Sequence, residues 1–238
     1  MWIKQYIKKL LFPNTYSSEA FVIYLRKCGL KIGSYTHFTE PRTNFVDPGR
    51  RPWIQIGEGC CITRGVQFIA HDHSWTVLLN SHKDFYPSGG GPIKIGNNVF
   101  IGFNSIILRN VTIGDNSIIG AGSVVTSDIS ENSVVAGNPA RFICTLDEYY
   151  EKRKKSIVLE AKNHARFIYS KKGRFPTIEE MERFTVIFLK MTEDVYQECI
   201  NKIVINTSNN IDVKRIVMAK SPIYSSYDEF LKDTFNHI

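Results

Sequence analysis

The chain has 238 residues, of which 43% are hydrophobic and 22% are charged, a composition that is typical of globular proteins and excludes a disordered chain. Its formal net charge of +7 comes from lysines and arginines scattered among acidic residues, without the aromatic-interleaved basic stripe of a nucleic-acid-binding protein. We therefore exclude DNA and RNA as partners, and we expect an anionic small molecule or a glycolipid membrane surface.

The five cysteines are an odd number without a C-x-x-C spacing, which argues against a disulfide-rich secreted domain and favours a reducing cytoplasm. No signal-peptide pattern opens the chain, and no apolar run approaches the roughly 20 residues that are needed to span a bilayer. We expect a cytoplasmic protein that is not integral to a membrane, with the inner face of the membrane as an alternative location.

The first residues, MWIKQYIKKLLFP, place their apolar side chains on one helical face and lysines on the other. We expect this short helix to dock on its own protein, because any small amphipathic helix shows the pattern. Peripheral membrane contact through residues 1–12 is the alternative. The next segment, SSEAFVIYLRKC, predicts a helical cap, so that residues 1–30 form an N-terminal helical segment and cap.

Aliphatic residues recur at every sixth position through the middle of the chain, and glycine directly follows several of them. Neither a helix nor an ordinary strand has this period, whereas hexapeptide repeats place one aliphatic residue per side in a narrow triangular interior. Three sides close one coil, so the pattern predicts a parallel β-helix over residues 31–144. The residues in this phase are Ile32, Phe38, Ile56, Ile62, Phe68, Ile95, Ile101, Ile107, Ile113, Ile119 and Val125.

The repeat breaks at VQFIAHDHSW, where the chain places two histidines around one aspartate, as His71, Asp72 and His73. The inward phase is lost until Ile95, so residues 74–92 are predicted to form an extruded loop with a flexible, glycine-rich end. The two histidines are candidates for catalysis, because functional side chains concentrate where a loop leaves a rigid scaffold.

The hexad pattern ends before residue 145, and the remaining segments have helical spacing. Residues 145–238 are therefore predicted to form a mainly α-helical C-terminal extension, in which we identify no chemical motif. Three capping boxes mark the expected helix starts, namely Thr145 with Glu148, Thr177 with Glu180, and Ser226 with Glu229.

The run NNVFIGFNSIILRNVTIGDNSIIGAGSVVTSDISENSVVAGNPARFI, residues 97–143, resembles the hexapeptide-repeat acyltransferases, in the branch that acetylates sugars, xenobiotics and surface polysaccharides. The resemblance implies a mainly β fold, a left-handed parallel β-helix, which here carries an N-terminal helical cap and a C-terminal helical appendage. It also implies a homotrimer that binds acetyl-CoA between adjacent subunits and needs no metal. The activity implied is an O-acetyltransferase acting on a hydroxyl of a sugar or surface polysaccharide, of the capsule or lipopolysaccharide type.

The resemblance also implies roles for single residues by their position in the motif. Ala121 and Thr126 would line the pantetheine arm, and Arg141 would lie near the nucleotide phosphates. The acetyl-CoA contacts implied in this way are Gly102, Phe103, Ala121, Thr126, Asn138, Pro139 and Arg141, and the acceptor contacts are Asp72, Trp75 and Phe100.

The resemblance implies a catalytic histidine in the loop that holds His71 and His73. An imidazole is suited to remove the proton from a sugar hydroxyl as it attacks the thioester, and a backbone N–H near Gly102 and Phe103 would stabilise the oxyanion. By resemblance, several sugar acetyltransferases place the base seven positions after the residue that matches Val66, which selects His73, whereas a subgroup of glycan acyltransferases has the sequence HDYSW here, which selects His71. We favour His71 and keep His73 as an acceptor-binding residue or substitute base.

Three alternatives remain. An N-acyltransferase acting on a nucleotide-linked amino sugar would use the same fold and base, and a non-catalytic trimeric scaffold would bind no acetyl-CoA. A zinc site would need a third ligand beside His37 and His73, and residues 74–81 contain no histidine to supply it. Cys60 and Cys61 alternate across a strand, so we expect one to face inward and neither to be catalytic.

Overall fold

The computed structural model describes residues 2–87, 89–197 and 213–236. The chain divides into two compact units, residues 1–149 and 150–238. Among the helices of the described segments, none combines the length and the apolar character that crossing a bilayer requires.

In the first unit, short strands form a parallel β-helix with three sides. Sheet A contains β1, β4, β7 and β10; sheet B contains β2, β5, β8, β11, β13 and β14; sheet C contains β3, β6, β9 and β12. All neighbouring strands are parallel except β13 and β14, which pair antiparallel at the end of sheet B. The strands are β1 Lys31–Ile32, β2 His37–Phe38, β3 Phe45–Val46, β4 Ile54–Ile56, β5 Cys61–Ile62, β6 Gln67–Ile69, β7 Ile93–Ile95, β8 Phe100–Ile101, β9 Ile106–Leu108, β10 Val111–Ile113, β11 Ile118–Ile119, β12 Val124–Val125, β13 Ser133–Ala136 and β14 Arg141–Thr145.

The six-residue phase predicted from the sequence is confirmed by burial. From Ile95 to Val125, each residue in this phase is at most 4% exposed. The chain passes from sheet A to B to C and back to A, so each coil has three corners. Each corner is named after the two sheets that it joins. The AB corner includes residues 96–99 and 114–117, and the BC corner includes residues 102–105 and 120–123. The CA corner includes residues 47–53, 70–92, 109–110 and 126–128.

Asparagines and glycines form the corners because the backbone there is too crowded or too strongly turned for most residues. Asn98, Asn116 and Asn132 have φ values of 53°, 56° and 55° at the AB corner. Their amides form a ladder, with Nδ2 to Oδ1 distances of 2.9 and 3.1 Å. At the BC corner, a Cβ atom on Gly102 would lie 2.5 Å from the backbone nitrogen of Ala121, so only glycine fits between these coils.

Two helices precede the coils, α1 (Trp2–Leu11) and α2 (Ser18–Lys27). Ser17 caps α2, and the ring of Phe21 packs edge-on against Phe38 of the first coil with centroids 5.1 Å apart. The expectation that α1 docks on its own chain is not supported from Tyr6 onward, because the apolar side chains there are exposed: Tyr6, Ile7, Leu10 and Leu11. The side chains of Trp2 and Ile3 lie outside the described part of the chain.

The predicted extruded loop contains a helix of its own, α3 (Trp75–His82), with no buried residue. Its glycine end is packed closely where it returns to the coils: the Gly91 N–H donates to the carbonyl of Ala70 at 2.9 Å. A Cβ atom on Gly91 would lie 1.9 Å from Asn110 Oδ1, and one on Gly90 would lie 2.4 Å from the Ala70 carbonyl oxygen. Gly90 and Gly91 are therefore packed against the coils, whereas Gly89 has open space around it.

The described residues after β14 are mainly helical, with α4 (Leu146–Lys172), α5 (Glu193–Val195), α6 (Val213–Met218) and α7 (Tyr227–Phe235). The capping boxes at Thr145 and Thr177 are confirmed, since Glu148 and Glu180 accept the backbone N–H of these threonines at 2.8 and 2.7 Å. Around a core that includes Ala161, Met181, Ile187, Phe188 and Phe230, this unit packs by itself.

Two details of this extension differ from the sequence expectation. The segment after Thr177 is a 3-10 helix, Glu179–Ile187, interrupted at Glu182 with φ 43° and ψ −114°, instead of a regular α-helix. In the third box, Ser226 caps the N–H of Glu229, but the Glu229 carboxylate accepts the N–H of Ser225 at 2.7 Å. A box motif fixes the start of a helix more closely than it fixes the helix that follows.

We predict that Ile107→Ala destabilises the coils by about 2–5 kcal/mol, because it leaves a cavity that the rigid coils cannot relax to fill. Urea denaturation followed by circular dichroism measures the change. Lys94→Ala, on the exposed outer face of sheet A, is the control and should alter stability by no more than about 0.5 kcal/mol. Equal urea midpoints for Ile107→Ala and Lys94→Ala would contradict the conclusion that Ile107 is a core residue.

Candidate active site

The CA corner stacks polar side chains from three successive coils. Strand β3 pairs with β6, and β6 pairs with β9, in parallel register. Residues that follow these strands therefore lie one coil above another. They include Asp47 after β3, His71 after β6 and Arg109 after β9.

The imidazole of His71 is held by a buried carboxylate. Its Nδ1 is hydrogen-bonded to Asp47 Oδ2, and the Asp47 side chain is only 1% exposed. The Asp47 oxygens also accept the backbone N–H groups of Ala70 and Gly49, each at 3.1 Å. A carboxylate fixed in this way orients the ring and keeps the proton on Nδ1. The lone pair is then on Nε2, and the His71 side chain is 32% exposed, so this nitrogen is available for proton transfer.

Sequence reasoning missed Asp47. In regular coils the pairing step is 18 residues, as between Ile101 and Ile119, but Val46 pairs with Phe68, a step of 22. The proline-rich segment between these strands hides the register, so Asp47 reads as part of an ordinary Asp-Pro-Gly turn. The sequence signal for Asp47 is only that it directly follows the inward-facing Val46.

Asp72 anchors the base of the loop. Its Oδ1 accepts the backbone N–H and the hydroxyl of Ser74 at 3.0 and 2.5 Å, and its Oδ2 contacts Arg109 Nε and Nη2 at 3.0 and 2.7 Å. The hydrogen bonds from Ser74, together with Arg109, lower the pKa of Asp72 to about 2. Both oxygens are thus already engaged, which weakens the expectation that Asp72 contacts the acceptor directly.

His73 lies beside His71 in a row of rings that leads into the loop. The His71 and His73 rings meet edge-on with centroids 5.2 Å apart, and His73 lies 6.4 Å from Trp75. Trp75 in turn meets Phe85 edge-on at 5.3 Å. The structure therefore brings both candidate bases and the expected acceptor residue Trp75 together.

The residues expected to contact acetyl-CoA lie mostly at the BC corner or just beyond it. Ala121, Asn138, Pro139 and Arg141 are exposed, whereas Thr126 is exposed at the CA corner. The described contacts of the Arg141 guanidinium consist of one hydrogen bond to the Ala140 carbonyl, at 3.2 Å. Phe100, expected at the acceptor, lies on the outer face of sheet B and is 40% exposed.

The backbone N–H of Gly102, near which an oxyanion donor is expected, is already hydrogen-bonded between coils. Gly102 is buried, and its N–H donates to the Ile119 carbonyl at 2.8 Å in the ladder between coils. Of the two residues near which the donor is expected, Gly102 thus has its own N–H engaged between coils. Phe103 follows it in the turn, is 52% exposed, and has a backbone N–H without an acceptor among the described residues.

His71 and most of the expected acetyl-CoA contacts thus lie at different corners of the same chain. His71 is at the CA corner, Phe103 and Ala121 are at the BC corner, and sheet C separates the two corners. A general base must come within hydrogen-bond reach of the group it deprotonates. Within the described chain, His71 and these residues are not brought together at one corner.

The two histidines of the zinc alternative are not brought together. His37 lies on sheet B in register with Cys61, and burial lowers the pKa of His37, whereas His73 lies at the CA corner. Within the described ranges, no group of three His, Cys, Asp or Glu residues has the geometry of a metal site.

The adjacent cysteines follow the expected alternation. Cys60 is buried, and its Sγ lies 3.1 Å from the Gly96 carbonyl, whereas Cys61 is half-buried on the outer face. Burial raises the pKa of both thiols, so both stay protonated and poorly nucleophilic at neutral pH.

Comparisons with known proteins relate this chain to a family of transferases. The model of a family described as bacterial transferase hexapeptide (six repeats) matches residues 92–127. Protein CapG of Staphylococcus aureus is 42% identical over 130 residues, which cover 54% of this chain and 73% of CapG. Galactoside O-acetyltransferase of Escherichia coli (strain K12) is 42% identical over 95 residues, which cover 40% of this chain and 45% of that protein.

A solved structure, a maltose O-acetyltransferase from Clostridium difficile 630, shares 33% sequence identity over 53% of this chain and 75% of that chain, with a TM-score of 0.39. The CapG match covers most of CapG at high identity, and the family model falls on the regular coils. The chain therefore belongs to the bacterial hexapeptide-repeat transferases and is an acetyltransferase.

Proposed function

We propose that the enzyme transfers the acetyl group of acetyl-CoA to a hydroxyl of a sugar or surface polysaccharide, of the capsule or lipopolysaccharide type, with His71 as the general base. The observation that carries the proposal is the contact between His71 and the buried Asp47 on the rigid coil. The similarity to a protein named galactoside O-acetyltransferase supports a sugar hydroxyl as the acceptor.

The acyl donor is acetyl-CoA, as the sequence predicted, and it supplies an activated thioester. The residues of this chain fit such a molecule. Ala121 is small and exposed beside Gly122, which leaves room for a narrow pantetheine chain. The Arg141 guanidinium is exposed and meets no carboxylate among the described residues, so its charge is available to a phosphate.

The reaction needs one proton transfer in each direction. His71 Nε2 takes the proton from the sugar hydroxyl as the oxygen forms its bond to the acetyl carbonyl carbon. The carbon–sulfur bond of the thioester breaks, and the same imidazolium returns the proton to the thiolate sulfur. The Asp47 carboxylate accepts the Nδ1 hydrogen bond and stabilises the imidazolium that forms. The products are an acetyl ester of the sugar and free coenzyme A.

The negative charge that develops on the acetyl carbonyl oxygen needs a hydrogen-bond donor. The Phe103 N–H is a suitable group, since it points from a tight turn and is not used between coils. Because Phe103 and His71 lie at different corners, the proposal includes a homotrimer in which each site is shared by two subunits.

The exposed apolar face of α1 supports a peripheral contact. Tyr6, Ile7 and Leu10 are exposed, and the exposed Lys8 and Lys9 lie on the same short helix. Such a helix can lie at an anionic lipid surface. A cytoplasmic enzyme that contacts the inner face of the membrane would meet membrane-linked glycans there, and this location remains a prediction.

We predict that His71→Ala lowers kcat by at least about 100-fold, the usual cost of losing a general base, while acetyl-CoA still binds. The His73→Ala enzyme is the matched control, because it removes the neighbouring ring, and it should keep most of its kcat. Turnover is measured by thiol release with a panel of neutral glycans and nucleotide-linked amino sugars, and binding by calorimetry. An active His71→Ala beside an inactive His73→Ala would transfer the role to His73.

We predict that Asp47→Asn lowers kcat by about 100-fold or more with little change in the KM for acetyl-CoA. The amide can donate to Nδ1 and so favour the wrong imidazole tautomer, while its size preserves the packing. Asp72→Asn, a carboxylate in the same corner that does not touch the ring, is the control and should cost less. If both variants lost activity in proportion to a fall in melting temperature, Asp47 would have a structural role only.

We predict a trimer of three 27.2 kDa chains with shared sites. His71→Ala and Ala121→Trp chains, each inactive alone, should regain activity when they are denatured together and refolded at equal ratio. About one quarter of the sites then combine an intact CA corner with an intact BC corner. Light scattering measures the mass, and no regain of activity in mixed trimers would show that each site lies within one chain.

A further inference from the structure

Two arginines follow Asp47 at the CA corner and have no part in the chemistry described so far. Asp47 Oδ1 accepts the Gly49 N–H at 3.1 Å, and the Asp47 carbonyl accepts the Arg50 N–H at 3.3 Å. A 3-10 turn, Arg51–Trp53, then returns the chain to sheet A. Arg50 and Arg51 are therefore fixed in the same turn that supports the base.

Both guanidinium groups lie over aromatic rings. Arg50 lies 5.2 Å from the ring centroid of Trp53, and Arg51 lies 5.3 Å from that of Tyr24. This stacking restricts the long side chains, so less conformational entropy is lost when they bind a ligand.

The positive charges are not compensated within the described part of the chain. Neither arginine forms an ion pair there, and the Nε atom of each is buried without a hydrogen-bond acceptor. The carboxylate next to them, Asp47, is already engaged by His71, Ala70 and Gly49. A buried hydrogen-bond donor without a partner costs free energy. A bound anion would supply the missing acceptor to these arginines after a small rotation of their side chains.

The distance to the base suits a single acceptor molecule. Arg50 Nη1 lies 3.4 Å from the Gly49 carbonyl oxygen, and Gly49 N lies 3.1 Å from Asp47 Oδ1. With standard backbone dimensions across Gly49, Nη1 is at most about 10 Å from the carboxylate that holds His71. A sugar whose hydroxyl reaches His71 can place a charged substituent at Arg50.

We propose that Arg50, supported by Arg51, binds an acidic group on the acceptor, so that the enzyme acetylates anionic sugars. The planar guanidinium fork matches the two oxygens of a carboxylate or of a phosphate. The inference rests on the proposed O-acetyltransferase activity and specifies its acceptor class. Arg50 is a specificity-determining residue, since it contacts the acceptor away from the reacting hydroxyl.

The first test compares three acceptors of similar size: a nitrophenyl galactoside, a nitrophenyl glucuronide and a galactose phosphate. The wild-type enzyme should prefer one or both charged acceptors by about 10- to 100-fold in kcat/KM, the usual effect of a charge-assisted hydrogen bond. Whichever charged acceptor has the higher kcat/KM shows whether the site prefers a carboxylate or a phosphate. Preference for the neutral galactoside would overturn the proposal.

Arg50→Gln should abolish this preference, chiefly by raising KM, and Arg50→Lys should restore part of it because the charge returns without the fork. Arg42→Gln is the matched control: Arg42 also lies over an aromatic ring, at 3.4 Å from the centroid of Phe12, outside the turn. It should keep the wild-type preference. If Arg42→Gln lost the preference equally, the effect would be net charge alone, and the proposal would fail.

The second test does not depend on activity. The chain has three tryptophans, so replacing Trp2 and Trp75 by Phe leaves Trp53 as the only indole, in contact with Arg50. Its fluorescence should change saturably with inorganic pyrophosphate or glucuronate, and Arg50→Gln should remove the change. If no sugar is acetylated but this titration saturates, the acetyl-transfer proposal fails while the anion site stands.

Two outcomes would overturn the anion site directly. One is a Trp53 signal that stays flat to millimolar concentrations of both anions. The other is dissociation of the assembly by Arg50→Gln, measured by light scattering, because the arginines would then contact a carboxylate of a second copy instead of a ligand.

Discussion

The structure depends on one geometrical constraint: every sixth residue must fill a narrow triangular interior with an apolar side chain. Ile101, Ile107 and Ile113 meet this constraint within one coil, and all three have no exposed surface. The buried polar side chains of the regular coils, Ser105, Ser117 and Ser123, lie at the corners between strands, while the side chains in the six-residue phase are apolar. Chemistry is therefore confined to the outer faces and the corners, where the chain is free to leave the repeat.

The chain leaves the repeat at one corner more than at the others. Two long excursions, residues 47–53 and 70–92, both start at the CA corner in adjacent coils. Parallel pairing of the strands before them places Asp47 beneath His71, so two departures from the period meet in one hydrogen bond. The regular coils above and below supply the rigidity that holds these side chains in place.

Sequence reasoning was reliable where local rules decide the outcome. The inward phase from Ile95 to Val125 and the caps at Thr145 and Thr177 depend on spacings of three or six residues. It located His71 because the histidine interrupts that spacing. It missed Asp47, because the contact between strands β3 and β6 depends on how a proline-rich corner folds. The helix inside the loop was missed because it buries no residue, so no inward-facing apolar pattern marks it. The break at Glu182 was missed because a capping box predicts where a helix starts and not how it continues.

The two ends of the β-helix differ from its middle in a way that affects solubility. A stack of parallel strands ends in unpaired N–H and C=O groups, which can add a further strand from another molecule. At the start, helix α2 packs over the first coil, with Ser17 as its cap and Phe21 against Phe38. At the other end, β14 runs against the direction of every strand before it and pairs with β13. An incoming parallel strand cannot continue the register of sheet B past such a reversal, so along this side the chain resists growing end to end into a fibre even though each coil is built to accept another.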